Sequence, residues 1–197
     1  RRYVLPFTAG ARGTAYAQIK QPAEARADAE RALQLDPANE GAAVLLASLL
    51  RIAGDRAEAI AVLEKTLGKS PKSVDLRRVL ATLQIEAGNA AAAEAQLAET
   101  VKLRAYELAL RYELANFQLR LKNPDAAQKA LEGAVAAAPE NDQPKLVLAE
   151  FLAMHRSRDA GEKALRGMIA KDPDNLELRV GLAALLERSG ADQDAIA

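Results

Sequence analysis

The chain has 197 residues, half of them hydrophobic but only 4% aromatic, with 27 basic and 27 acidic side chains and no cysteine. Balanced charge removes any global attraction to nucleic acid or to an acidic membrane, and the missing thiols exclude disulfides and cysteine-ligated zinc. No apolar run approaches the roughly 18 residues that suggest a membrane span. Arginine outnumbers lysine and alanine dominates, the bias of a GC-rich bacterial genome; the compartment, cytoplasmic or periplasmic, stays open.

Prolines 37, 71, 139 and 173 are spaced by 34 residues or a multiple of it, with Ala105 at the skipped step. Such a period marks stacked copies of a helix-turn-helix unit, each too small to bury its own apolar face. The fold class expected is therefore all-α, an α-solenoid of antiparallel helix pairs. Its copies span about 6–39, 40–73, 74–107, 108–141 and 142–175, with a partial copy over 176–197.

The first copy is the weakest, because Gly10 and Gly13 fall within its expected first helix and Arg12 replaces the leucine of later copies. Each such glycine costs about 1 kcal/mol relative to alanine. Pro22 opens its second helix, where a missing N–H is tolerated, and Asp36-Pro37-Ala38-Asn39 turns the chain. In the second copy, Leu46, Leu49, Leu50 and Ala53 line one helical face. Gly54 is placed to stop that helix, and Asp55 with Glu58 is expected to form a capping box on the next.

The third copy repeats the pattern through Leu80-Ala81, Gly88 and Ala93-x3-Leu97, but its turn carries Ala105 in place of proline. Since the columns on either side stay in phase, the turn is expected to survive near residues 103–106. The fourth copy starts its second helix at Pro124, and the fifth ends in Asp172-Pro173-Asp174-Asn175. Asn39, Ser73, Asn141 and Asn175 are placed to cap the following helices. Two columns run through all of this: Leu46, Leu80, Leu114, Leu148 and Leu182 on first helices, and Ala59, Ala93, Ala127 and Gly161 on second helices.

With Gly13-x2-Tyr16, Ala25-x3-Ala29 and Pro37 in the first copy, and Leu80-Ala81-x2-Gln84 with Ala93-x3-Leu97 in the third, the chain resembles the tetratricopeptide repeat family. Departures are the absence of tryptophan, leucine at positions where the family often has an aromatic, and alanine for the first-helix glycine. The resemblance implies a right-handed superhelix whose first helices line a concave face that receives peptides or extended segments. Carried over by column, that face would hold Arg51, Arg78, Thr82, Tyr112, Asn116, Arg120 and Glu150, along with Ser48 and Met154. The family's carboxylate clamp of Lys and Asn is not reproduced, which sets aside chaperone C-terminal peptides.

Chemistry beyond binding finds no constellation. Gly68-Lys69-Ser70 copies the end of a phosphate loop, yet Leu63 stands where its first glycine belongs and Pro71 follows. Asp172 and Asp174 mimic the start of a calcium loop that no glycine or terminal glutamate completes. His155 is the single histidine and has no nucleophile or carboxylate placed with it. The expectation is thus no enzyme, no metal and no cofactor.

A basic column, Arg77, Arg111, Lys145 and Arg179, suggests either a stripe for an anionic polymer or acidic peptide, or pairing with neighbours such as Asp75, Glu113 and Glu177. The leading reading is a scaffold for a protein or peptide. Alternatives are an accessory array of a bacterial exopolysaccharide or surface-polymer secretion system, and the regulatory array of a larger enzyme. The chain opens Arg1-Arg2 without an initiator Met and stops at Ala197 within an expected helix, as an excerpt of a longer protein would.

Overall fold

A computed structural model describes residues 22–188. Ten helices fill that span, and no strand occurs among the described residues. They are α1 (Pro22–Leu35), α2 (Glu40–Ala53), α3 (Arg56–Leu67), α4 (Val74–Glu86), α5 (Ala90–Leu103), α6 (Leu108–Arg120), α7 (Pro124–Ala137), α8 (Asp142–His155), α9 (Arg158–Ile169) and α10 (Leu176–Arg188). First helices carry even numbers and second helices odd ones. The expectations for Gly10, Arg12, Gly13 and Tyr16, and for the end of the partial last copy, lie outside the described residues.

Helix starts follow the caps read from sequence. The side chains of Asn39, Ser73, Asn141 and Asn175 accept backbone N–H groups of Ala42, Leu76, Gln143 and Leu178 at 2.9, 3.2, 3.0 and 3.0 Å. Asn123 and Ser157 do the same for α7 and α9, each such cap contributing about 1 kcal/mol. One expectation fails. Asp55 makes no side-chain cap bond, and Glu58 turns instead to Arg26 of the preceding second helix at 3.4 Å, so the Asp55–Glu58 box does not form.

Helix stops are repeated hydrogen bond for hydrogen bond. Gly54 N–H donates to Arg51 O and Asp55 N–H to Leu50 O, and the same pair recurs at Gly88–Asn89 and at Lys122–Asn123. This is the Schellman arrangement, and it needs a left-handed residue. Gly54 and Gly88 supply it at φ 95° and 78°, but the third copy of the motif puts Lys122 there at φ 56°. Arg156, one step further, has φ −121° and both Arg156 and Ser157 N–H groups donate to Leu152 O, so α8 ends differently.

Between Leu103 and Arg104 the chain divides into two compact halves. The core of the first contains Leu46, Leu50, Leu63, Leu76, Leu80 and Leu83 with Ala25, Ala29, Ala47 and Ala59 among them. In the second, Phe151 and Leu131 pack with Ala127 and Leu148, and Leu165, Leu178 and Leu185 with Ala149. The second-helix leucines Leu63, Leu97, Leu131 and Leu165 are all buried, each contributing about 1.5–3 kcal/mol. The first-helix column is less uniform: Leu46, Leu80 and Leu148 are buried, while Leu114 and Leu182 are half-buried.

At Ala105 the turn persists. α5 stops at Leu103 and α6 starts at Leu108. Glu107 stands in the cap column without a side-chain cap bond, and the turn is closed by Glu107 N–H donating to Arg104 O at 3.0 Å.

Copies are also tied through their caps. The Ser73 hydroxyl donates to the Glu40 carboxylate at 2.5 Å, and Asn175 Nδ2 donates to Asp142 Oδ2 at 2.8 Å. Glu40 and Asp142 each begin the preceding first helix, so an acid there serves its own helix dipole and the next copy's cap. Lys145 Nζ reaches the other oxygen of Asp142 at 2.7 Å, and these two donors hold the Asp142 carboxyl below its ordinary pKa.

Two outcomes follow. Lys122→Gly removes a left-handed side chain and stabilises the protein by about 0.5–1 kcal/mol, raising the thermal midpoint by about 2–4 °C; an unchanged or lower midpoint contradicts it. Asp142 has a depressed folded pKa, so its contribution is complete above the ordinary aspartate value and lost as pH falls through the folded one. Asp142→Asn therefore lowers the midpoint at pH 7, and the gap to the native chain closes below about pH 4. A gap independent of pH from 7 to 2 contradicts this.

Candidate functional site

In the first half the outward residues of α2 and α4 are partly engaged with their own chain. Arg51 Nη1 lies 3.4 Å from Glu86 Oε1, and Arg56 Nε lies 3.8 Å from Glu86 Oε2, so one carboxylate collects both guanidinium groups. These ion pairs are exposed and contribute little stability. The Ser48 hydroxyl donates to Val44 O at 2.8 Å and the Thr82 hydroxyl to Arg78 O at 3.0 Å. Both donors are thus turned back onto their own helix, leaving oxygen lone pairs as what they offer outward. Arg78 and Thr82 are exposed, one turn apart on α4.

In the second half, Tyr112, Asn116 and Arg120 follow at i, i+4 and i+8 on α6, which places them along one stripe. Asn116 and Arg120 are exposed; Tyr112 is half-buried and packs against the core cluster that contains Ala115, Leu131 and Phe151. Its hydroxyl is enclosed without a hydrogen-bond partner, and burial pushes its pKa up. Arg120 stands 6.0 Å from the centroid of the Phe117 ring, a cation–π distance. On α8, Glu150 is exposed, and Met154 is 76% exposed one turn further on. His155 stacks on Phe151, ring centroids 4.8 Å apart, which gives it a structural contact.

The basic column has a use that its spacing did not reveal. Arg77 Nη2 donates to Pro71 O at 2.7 Å and its Nη1 to Gln96 Oε1 at 2.8 Å. One period later Arg111 Nη2 donates to Ala105 O at 3.3 Å. Each arginine thus reaches back six residues to the carbonyl in the proline column. The Arg111 guanidinium occupies the space over Gly133, where a Cβ would sit 2.6 Å from Nη1. Lys145 is held by Asp142, while Arg179 is exposed. At Arg77 and Arg111, where the sequence shows part of a stripe of charge, the structure shows latches on inter-copy turns. The signal was present as the fixed six-residue offset, but a backbone carbonyl is an acceptor that no sequence advertises.

Segments that imitate catalytic or ion-binding motifs act as turns. Gly68 closes α3, and the Ser70 hydroxyl lies 3.5 Å from Ala38 O. Asp172 accepts from Asn175 Nδ2 at 3.1 Å. Among the described residues, no three metal-ligating side chains cluster, and no helix is long and apolar enough to cross a membrane.

Tetratricopeptide repeat models match residues 7–39, 50–105 and 108–141, together more than half of the chain. No curated protein shows a significant sequence match. Among solved structures, the fold is similar to a tetratricopeptide repeat protein from Parabacteroides merdae, at 18% identity and TM-score 0.59, over 95% of this chain and 75% of that one. It is similar to pilF of Pseudomonas aeruginosa at 17% identity and TM-score 0.59, over 95% and 86%. A third, YrrB, described as a tetratricopeptide protein with an unusual peptide-binding site, matches at 18% identity and TM-score 0.53, over 84% and 86%.

Proposed function

This chain belongs to the tetratricopeptide repeat family, a fold of interaction scaffolds, and we propose that it holds an extended peptide or protein segment against the outward faces of its first helices. The observation that carries this is the stripe on α6, where exposed Asn116 and Arg120 follow half-buried Tyr112 at successive turns. An amide with two donors and an acceptor suits a peptide backbone, a guanidinium suits a carboxylate, and an aromatic gives rigid area. Glu150 and Met154 on α8 extend the chemistry to a cationic or apolar side chain. In the first half, Arg78 and Thr82 form the corresponding stripe, with Arg51 drawn aside by Glu86.

Peptide binding is also how one protein of similar fold, YrrB, is described. An anionic polymer draws no support from the basic column, since Arg77, Arg111 and Lys145 spend their donors inside the fold. The roles as a secretion accessory or as part of an enzyme rest on nothing found in these residues.

The test starts from a partner captured with the full-length protein and reduced to a binding segment by cross-linking. Replacing Asn116 and Arg120 together with alanine weakens that segment at least tenfold without lowering the thermal midpoint. Replacing Lys129 and Glu132 on α7, both exposed, leaves affinity unchanged. The opposite pattern moves the interface to the second helices and overturns the assignment.

A further inference from the structure

The last turns of α2, α4, α6 and α8 share one column, Ile52, Glu86, Arg120 and Met154, each 34 residues from the next. Its members differ in what they leave available. Glu86 is already spent, with the guanidinium groups of Arg51 and Arg56 at 3.4 and 3.8 Å. Arg120 is exposed and makes no ion pair among the described residues; the Phe117 ring is what it stands over. Lys122, two residues on, is also exposed and likewise makes no ion pair among them. Met154, 76% exposed, is one of the few large apolar side chains left in the open. An unneutralised cation and an uncovered apolar side chain are therefore column neighbours on α6 and α8, helices that pack in one core through Ala115, Leu148 and Phe151. The backbone at the end of α6 does little to repel an anion, because the carbonyls of Phe117, Gln118 and Leu119 already accept the N–H groups of Leu121, Asn123 and Lys122.

We infer that α6 and α8 select a partner segment with an acidic residue whose carboxylate meets Arg120 and, about three residues away along an extended chain, a large apolar residue that covers Met154. This rests on the first-helix surface proposed above and narrows the class of segment it takes. The spacing follows from geometry: packed helices lie about 8–10 Å apart, and an extended chain advances about 3.3 Å per residue. The chemistry follows from the two side chains. A guanidinium binds a carboxylate through two parallel hydrogen bonds, and the flexible thioether of methionine moulds itself to aliphatic or aromatic groups. Asn116, one turn before Arg120, is placed to hold backbone between the two anchors. Glu150, exposed one turn before Met154, disfavours a second acid beside the apolar residue, so the motif is singly acidic.

The chain has two methionines, and Met168 is half-buried against the core, so methyl-labelled methionine in the whole chain gives a reporter at the site and a control away from it. Three probes are titrated to millimolar concentration by NMR: acetyl-Ala-Asp-Ala-Ala-Leu-Ala-amide, its Asn analogue, and acetyl-Ala-Ala-Asp-Leu-Ala-Ala-amide, in which the two anchors are adjacent. The first shifts the Met154 methyl saturably and leaves Met168 in place; the other two bind at least fivefold more weakly. Arg120→Glu loses the response to the first probe and gains one to acetyl-Ala-Lys-Ala-Ala-Leu-Ala-amide. Should that variant fold poorly, Arg120→Gln keeps the side-chain length and weakens the first probe at least fivefold. The proposal is overturned by no saturable shift at Met154, by an equal response to the Asn or adjacent-anchor probe, or by a preference that does not follow the charge at residue 120. If the probes fail while a captured partner segment still depends on Asn116 and Arg120, the motif is wrong and the surface stands; if that dependence is absent too, the surface itself is wrong.

Discussion

The constraint on which the described fold depends is the distance of closest approach between the two helices of a copy. Ala59, Ala93 and Ala127 sit at that crossing with no exposed surface, and Ala25, in the same column on α1, is likewise fully buried. A methyl is the largest group the crossing accepts, because a longer side chain would force the backbones apart and abandon the dispersion contacts of the leucines one turn on. At α9 even the methyl is gone. A Cβ on Gly161 would lie 2.6 Å from the Ala149 carbonyl oxygen and 2.7 Å from the Ala153 Cβ. Close crossing buries Leu63, Leu97, Leu131 and Leu165, and burial of that stripe fixes which side chains remain outside to meet a partner.

Because the scaffold repeats, a change of one column in one copy alters a surface without altering the fold. Arg77 with Gln96, and Arg111 over Gly133, fill the space beside their turns, and the second copy carries Ala43 and Val62 at the positions of Arg77 and Gln96. The same economy explains how a turn lacking proline survives: at Ala105 the N–H deletion is missing, but the Arg111 latch and the Arg104–Glu107 closure remain. Interaction chemistry is thereby separated from stability. The residues proposed to meet a peptide on α4 and α6 are exposed except for half-buried Tyr112, and those that maintain the stack are buried or bonded to backbone.

Much of this was legible because caps and crossings use few residue types. Asn and Ser before a helix, and alanine at a fixed step, each satisfy one local requirement, and the structure meets them at Asn39, Ser73, Asn141 and Asn175. What was hidden depends on competition between partners. The Asp55–Glu58 box lost to a pairing of Glu58 with Arg26 from another copy, which no local pattern contains. Lys122 was unreadable as a helix stop because its side chain disfavours the left-handed region that the Schellman bonds impose. On the proposed binding face the sequence offered a column of positions. The inward turn of the Ser48 and Thr82 hydroxyls was not, since i−4 carbonyls compete with any ligand.

Two glycines of α9 allow the crossing constraint to be measured against helix propensity in one helix. Gly167 faces open space, with nothing within 4 Å of an added Cβ. Alanine there gains about 1 kcal/mol of helix propensity. Gly161→Ala gains the same propensity, but overpacking against Ala149 and Ala153 costs about 1–3 kcal/mol or more, since backbone must move. Thermal unfolding of both variants beside the native chain decides between the effects. The account predicts a higher midpoint for Gly167→Ala and a lower one for Gly161→Ala; a rise of equal size in both would show that the close crossing does not govern the fold.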